Sequence, residues 1–205
     1  LLGLSLVLVA CGTPKRDLRI KPYVKEAFTM GTYVKITSYD KGHEKDVAAA
    51  LAIVKDYDKK TSVNQSGSEL DEINDQAGIK PVKVSKAVYK LLKDAYDYSD
   101  KQTGFDMMIG AISSLWHIGF DDARKPSQAE IDQALPLVSH RLIEFDDQKQ
   151  TVYITKKGAK IDLGAITKGY VSDRMTDYLK DHGVTTAIVD LGSSSLSLIG
   201  HSHRG

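Results

Sequence analysis

The chain has 205 residues, 41% of them hydrophobic and 27% charged, which is enough apolar material for a core and excludes a disordered or collagen-like sequence. Its 28 Lys and Arg against 27 Asp and Glu leave a net charge of +1, which supplies no basic field for gathering nucleic acid. The single cysteine, Cys11, excludes an intrachain disulfide framework and a cysteine-rich zinc site. The first ten residues are an apolar run, too short for a bilayer span of about 20 residues, and they read as the end of a secretory signal peptide. Leu8-Val9-Ala10-Cys11 resembles a bacterial lipobox, in which the cysteine becomes the lipidated first residue; a buried N-terminal strand ending in a core cysteine is the alternative. Residues 11–22 then hold Gly12, Thr13, Pro14 and charged residues, the composition of a flexible tether. The expected organisation is residues 1–10 as signal peptide, 11–22 as lipidated Cys11 and tether, and 23–205 as the domain.

From Tyr23 to Tyr39 the pattern favours strands around a Met30-Gly31-Thr32 turn. Val47, Leu51 and Val54 lie at helical spacing within 44–59. Ser66 and Glu69 stand at capping-box spacing before a short helix containing Leu70, Ile73 and Asn74. A brief strand over 80–84 leads to Ser85, which caps a helix with Val88, Leu91, Leu92 and Ala95 on one face. Ser127 and Glu130 form another capping box, and residues 142–145 and 151–155 read as a hairpin. Residues 160–163 read as a strand, followed by a turn at Gly164 and a helix that Gly183 ends. Strands over 184–191 and 195–199 complete the pattern. Helices and strands mix without steady βαβ alternation, so the expected fold class is α+β.

The chemistry concentrates in Asp162-Leu163-Gly164-Ala165-Ile166-Thr167-Lys168-Gly169-Tyr170, where a strand delivers a carboxylate, glycine makes a turn, and a helix opens with lysine. Unpaired amides and positive dipole at a helix start favour phosphate. An early lysine opposes that dipole, a local cost that points toward function. A surface lysine after a glycine turn is the equally weighted alternative. The spacing is not that of a Walker loop. Asp106, beside an apolar run, must be hydrogen-bonded or functional, because an unsatisfied carboxylate there is costly. Phe105, Trp116 and Tyr170 read more readily as core than as residues that stack on a ligand.

Four segments in order carry a resemblance. They are Met30-Gly31-Thr32, Ser68-Glu69-Leu70 with Asn74, Gly104-Phe105-Asp106 with Gly110, Trp116 and Phe120, and Asp162-Leu163-Gly164-Ala165 through Lys168-Gly169-Tyr170 and Asp173. Together they resemble the FAD:protein FMN transferases, the ApbE family. That resemblance implies an exported α+β enzyme of the ApbE-like flavin transferase fold. It would move FMN from FAD to a Ser or Thr hydroxyl of an exported acceptor protein, release AMP and require magnesium. It also implies FAD contacts from Met30, Asn64, Gly104, Phe105, Asp106, Asp162 and Lys168, and a magnesium ligand in the Ala165 carbonyl. Asn64 stands where many members have Tyr and some have Asn. The family's Gly-Gly-Asn-like turn is replaced by Gly192-Ser193-Ser194, and a C-terminal region holding further metal ligands does not follow, so the domain over 23–205 is expected to be incomplete. The implied setting is a lipid anchor at Cys11 on the extracytoplasmic face of the bacterial membrane, with no nucleic acid as partner. An FAD pyrophosphatase, a flavin-binding remnant without transfer activity and a non-enzymatic solute-binding lipoprotein remain the alternatives.

Overall fold

A two-residue turn sets the first pair of elements. In the computed structural model, which describes residues 18–63, 66–101 and 104–201, strand β1 (Leu18–Thr29) pairs antiparallel with β2 (Thr32–Asp40). Strand β1 starts inside the segment expected to be tether, with Leu18 opposite Asp40 and a register shift before Tyr23. Cys11 and the lipobox lie outside the described residues. Helices α1 (Glu44–Thr61) and α2 (Glu69–Asp75) follow, then strand β3 (Val82–Lys83) and helix α3 (Lys86–Asp100). Next come α4 (Gly110–Ser113), α5 (Gln128–Ala134), the hairpin β4 (Ile143–Asp146) and β5 (Thr151–Ile154), and α6 (Thr167–Asp181). Strands β6 (Ala187–Leu191) and β7 (Ser195–Ile199) close the described chain.

The strands form two antiparallel sheets, ordered β1-β2-β6-β7 and β3-β5-β4. Alternation along β2 and β6 sends Val34, Ile36, Ala187, Val189 and Leu191 to one face, where all are buried. Helices α1 and α6 cover that face and pack against each other. Val47, Ala50, Leu51 and Val54 supply the inward stripe of α1, and Val171, Met175 and Leu179 that of α6. Each such Val, Leu or Met side chain contributes about 1.5–3 kcal/mol by leaving water. The core continues without a break through Leu70, Leu91 and Met107 to Val152 and Ile154 of the smaller sheet. On the opposite face of the larger sheet, Phe28, Tyr33, Leu196 and Leu198 are exposed.

Two local expectations are corrected. Helix α2 is capped by Ser68, whose Oγ accepts from Asp71 N at 2.9 Å, rather than by Ser66. Ser68 also donates to Ser62 O at 2.6 Å, which fixes it at the helix start, while Gly67 N donates back to Asp71 Oδ2 at 3.0 Å. Residues 160–163 make only an isolated bridge, Ile109 to Lys160, and no strand. Their backbone groups are satisfied otherwise: Ile161 N donates to Asn74 Oδ1 at 2.7 Å, Asn74 Nδ2 donates to Ile161 O at 3.0 Å, and Asp162 N donates to Met107 O at 2.9 Å. The Ser127–Glu130 capping box and the β4–β5 hairpin form as expected.

Candidate functional site

Asp162 sits where three supports converge. Asn74 of α2 grips the residue before it, and the Met107 carbonyl holds its amide. Its carboxylate is held at both oxygens, Oδ1 accepting from Gly164 N at 2.8 Å and Oδ2 from Ser113 Oγ at 2.6 Å. The first bond makes the tight turn at Gly164, and the second ties that turn to α4. Helix α6 then begins after Ile166, whose side chain makes no capping bond, so the helix start is left uncapped. Lys168, in the first turn of α6, is half-buried and has no carboxylate partner among the described residues. Uncapped amides, helix dipole and an unpaired ammonium together favour a phosphate-bearing ligand.

Clefts open on both sides of this turn. One, of about 600 Å³, is walled by Met30, Asp58, Ser62, Asp162, Gly164 and Lys168. The structure thus brings Met30 together with Asp162 and Lys168 from two distant stretches of chain. A second cleft of about 870 Å³ lies between α3 and α6 and takes in Phe105, Ala165, Tyr170 and Asp173. A third shares Asp162 and Gly164 with the first and adds Asn74, Ser113, His117 and Phe120. Phe105 and Tyr170 are each half-buried against the core and also face the second cleft, so the core and site readings of both coincide. Gly104 is exposed, and Ala165 is exposed at the crest of the turn. Asn64 lies outside the described residues.

The Asp106 carboxylate faces inward to its own loop. Oδ1 accepts from Met108 N at 2.8 Å, and Oδ2 accepts from His140 N at 3.0 Å with His140 Nδ1 at 3.3 Å. These bonds satisfy the group whose position beside an apolar run demanded a partner. They also lock the loop carrying Gly104 and Phe105 onto the 3-10 turn His140–Leu142.

The Met30–Gly31 turn has φ of 52° and 68° at its two central residues. Two-residue hairpins of this kind take Asn or Asp before Gly, because both positions are left-handed. Gly31 tolerates that, whereas methionine there costs about 1–2 kcal/mol. Asp58 of α1 offsets the strain, its Oδ2 accepting from Thr29 Oγ1 at 2.7 Å and from Met30 N at 3.0 Å. Asp58, Ser113 and His140 carry no local motif, and sequence reasoning missed them. The one available signal was the departure from turn chemistry at Met30.

A magnesium ion has to be weighed against these donors. Among the described residues no three His, Cys, Asp or Glu side chains converge to hold a metal. Magnesium takes most of its six oxygens from water and substrate phosphates, and the Ala165 carbonyl would supply one oxygen from the protein. The described residues therefore do not form a magnesium site by themselves.

The two-sheet α+β architecture is shared with the ApbE flavin transferases. The crystal structure of the ApbE protein of Thermotoga maritima superposes with a TM-score of 0.80 and 29% identity, over 88% of this chain and 60% of that one. The apo form of Pseudomonas stutzeri flavinyl transferase ApbE shares the fold at a TM-score of 0.78 and 23% identity, over 90% of this chain and 63% of that one. In sequence, the ApbE family profile matches residues 30–205, and the chain belongs to the ApbE family. A Treponema pallidum protein named FAD:protein FMN transferase is 31% identical over 94% of this chain and 57% of its own length. A Klebsiella pneumoniae protein of the same name is 33% identical over 87% of this chain and 56% of its own. The chain thus spans somewhat more than half the length of these curated relatives.

Proposed function

We propose that this chain carries the FAD-binding portion of an FAD:protein FMN transferase. The observation that carries the reading is the Asp162–Lys168 turn, with a fixed carboxylate, an uncapped helix start and an unpaired ammonium between clefts. The names of its relatives support the reading. In the proposed reaction a Ser or Thr hydroxyl of an exported acceptor protein attacks the phosphorus of the FMN half of FAD. A new P–O bond forms to the acceptor, the P–O bond to AMP breaks, and the hydroxyl proton is released. Lys168 and the α6 amides would hold the diphosphate, and Met30, Phe105 and Asp162 would orient the dinucleotide. Gly104 and Asp106 would shape the adjoining loop, and Asn64 would complete the flavin contacts. Magnesium belongs to the proposal as a requirement. A diphosphate seated in a cleft lined by the Asp162 carboxylate and Lys168 calls for added positive charge. Of its ligands, the Ala165 carbonyl is the one proposed from these residues.

A second reading, FAD pyrophosphatase, is favoured by Asn64 in place of the commoner Tyr. Incubating the protein with FAD, magnesium and extracytoplasmic proteins of its own cell, followed by mass spectrometry, separates the readings. The expected result is an FMN adduct on a Ser or Thr together with AMP, abolished by chelator. Free FMN with AMP and no adduct would establish hydrolysis, and neither product would leave a binder.

A further inference from the structure

Asp58 stands on α1 directly beside the turn that carries Met30 and lines the same cleft, and nothing in the chemistry above needs it to touch FAD. Its Oδ2 nonetheless collects both donors of the turn, Thr29 Oγ1 at 2.7 Å and Met30 N at 3.0 Å. Thr29 is buried, so water does not readily replace the carboxylate. Met30 is a non-glycine residue at φ 52°, in the place where a hairpin of this length ordinarily has Asn or Asp. An Asn there could bond to its own turn. Methionine cannot, and the missing acceptor arrives from α1 instead. Met30, its amide engaged by Asp58, packs against the core and lines the cleft shared with Asp162 and Lys168.

We propose that Asp58 is a positioning residue for the flavin site, holding Met30 in its left-handed conformation so that the methionine side chain forms a wall of the FAD cleft. The proposal rests on the FAD reading of that cleft. It requires an acceptor oxygen at this distance, and the negative charge is incidental. Two substitutions separate these properties. Asp58→Asn keeps the oxygen in place and removes the charge, whereas Asp58→Glu keeps the charge and moves the oxygen by one methylene.

FAD affinity is read by quenching of flavin fluorescence, and in the ligand-free protein the hydrogen exchange of the Met30 amide is read by NMR. The expected result is that Asp58→Asn binds FAD within about threefold of wild type while Asp58→Glu binds about tenfold more weakly. In a Met30→Ala background that gap closes, because the residue through which Asp58 acts is gone. A loss of global stability alone would add to the Met30→Ala effect instead. The Met30 amide stays protected in Asp58→Asn and exchanges about tenfold faster in Asp58→Glu. Asp58→Asn binding FAD no better than Asp58→Glu, or a gap that persists without the Met30 side chain, overturns the proposal. A wild-type protein that binds no FAD overturns the functional reading instead. The exchange measurement then decides the role of Asp58 by itself, unequal protection supporting it and equal protection refuting it.

Discussion

At Gly110 an added Cβ would lie 2.7 Å from Lys160 O and 2.9 Å from the Ile161 carbonyl, and both obstacles are backbone. That backbone is the segment Asn74 grips immediately ahead of Asp162, so it has little freedom to retreat. Gly110→Ala is expected to lower stability by about 1–3 kcal/mol, the usual cost of overpacking. FAD affinity is expected to fall with it. Urea denaturation and a flavin titration check both halves, and an unperturbed variant would mean the two segments are not held at the described distance. Within the turn itself, Asp162→Asn can keep its bond from Gly164, but its amide nitrogen cannot accept from the Ser113 hydroxyl, so the change removes the charge and the tie to α4 together. Lys168→Ala removes the unpaired ammonium. Charge-assisted bonds are worth about 1.5–3 kcal/mol, and each substitution is expected to weaken FAD binding about tenfold or more. Calorimetric titration reads this, and unchanged affinity in both returns the pair to a structural role.

Helices α1 and α6 meet beside the site through Tyr57 and Tyr170, whose rings pack edge to face at 5.8 Å. Burial pushes the Tyr57 hydroxyl up to about 12, helped by the charge of and hydrogen bond to Tyr170 and offset in part by Arg174 and Lys60. An acid held more tightly by the folded state gives stability that is complete below the unfolded value near 10 and declines as pH rises toward 12. About 2 kcal/mol should be lost across that window. Tyr57→Phe should flatten this decline in denaturation curves taken from pH 9 to 12, and an identical slope in both proteins would refute the assignment. At this scale much was legible beforehand. The apolar spacing of Val47, Leu51 and Val54 marked α1, and Ser127 with Glu130 marked the start of α5. The Asp162–Lys168 turn was also visible as a turn. Residues 160–163 misled, because Lys160-Ile161-Asp162-Leu163 alternates charged and apolar as a strand does whatever satisfies its backbone, and Asn74 is remote in sequence. Asp58 was hidden for the same reason. An Asp on a helix reads as a solvated charge until the hairpin it serves is folded beside it.

The whole molecule is tied together by contacts between remote stretches of chain. No described helix is long and apolar enough to cross a membrane; the membrane association that the lipobox resemblance implies rests on Cys11. Cys11→Ser is expected to leave the melting temperature of the domain unchanged and to move the protein from the membrane pellet to the soluble fraction. Equal retention of both forms would remove the lipid anchor from the proposal. The larger sheet also dictates when the protein can fold. Its first hairpin finds its next partner only in β6, and Asp40 at the end of β2 bonds Thr186, 146 positions further on. Asn74 and Ile161 are 87 positions apart. Pairings of such long range carry a loop-closure cost before they reward it, and they make folding slow. At about 5–20 residues per second, synthesis of the intervening chain takes on the order of ten seconds. Throughout that interval Val34 and Ile36 have no β6 beside them, and the cleft between Met30 and Lys168 does not exist. A polypeptide threaded across a membrane, as the lipobox resemblance implies, would therefore remain an unfolded and translocatable substrate until its last strands emerge on the far side, and it could acquire flavin only there.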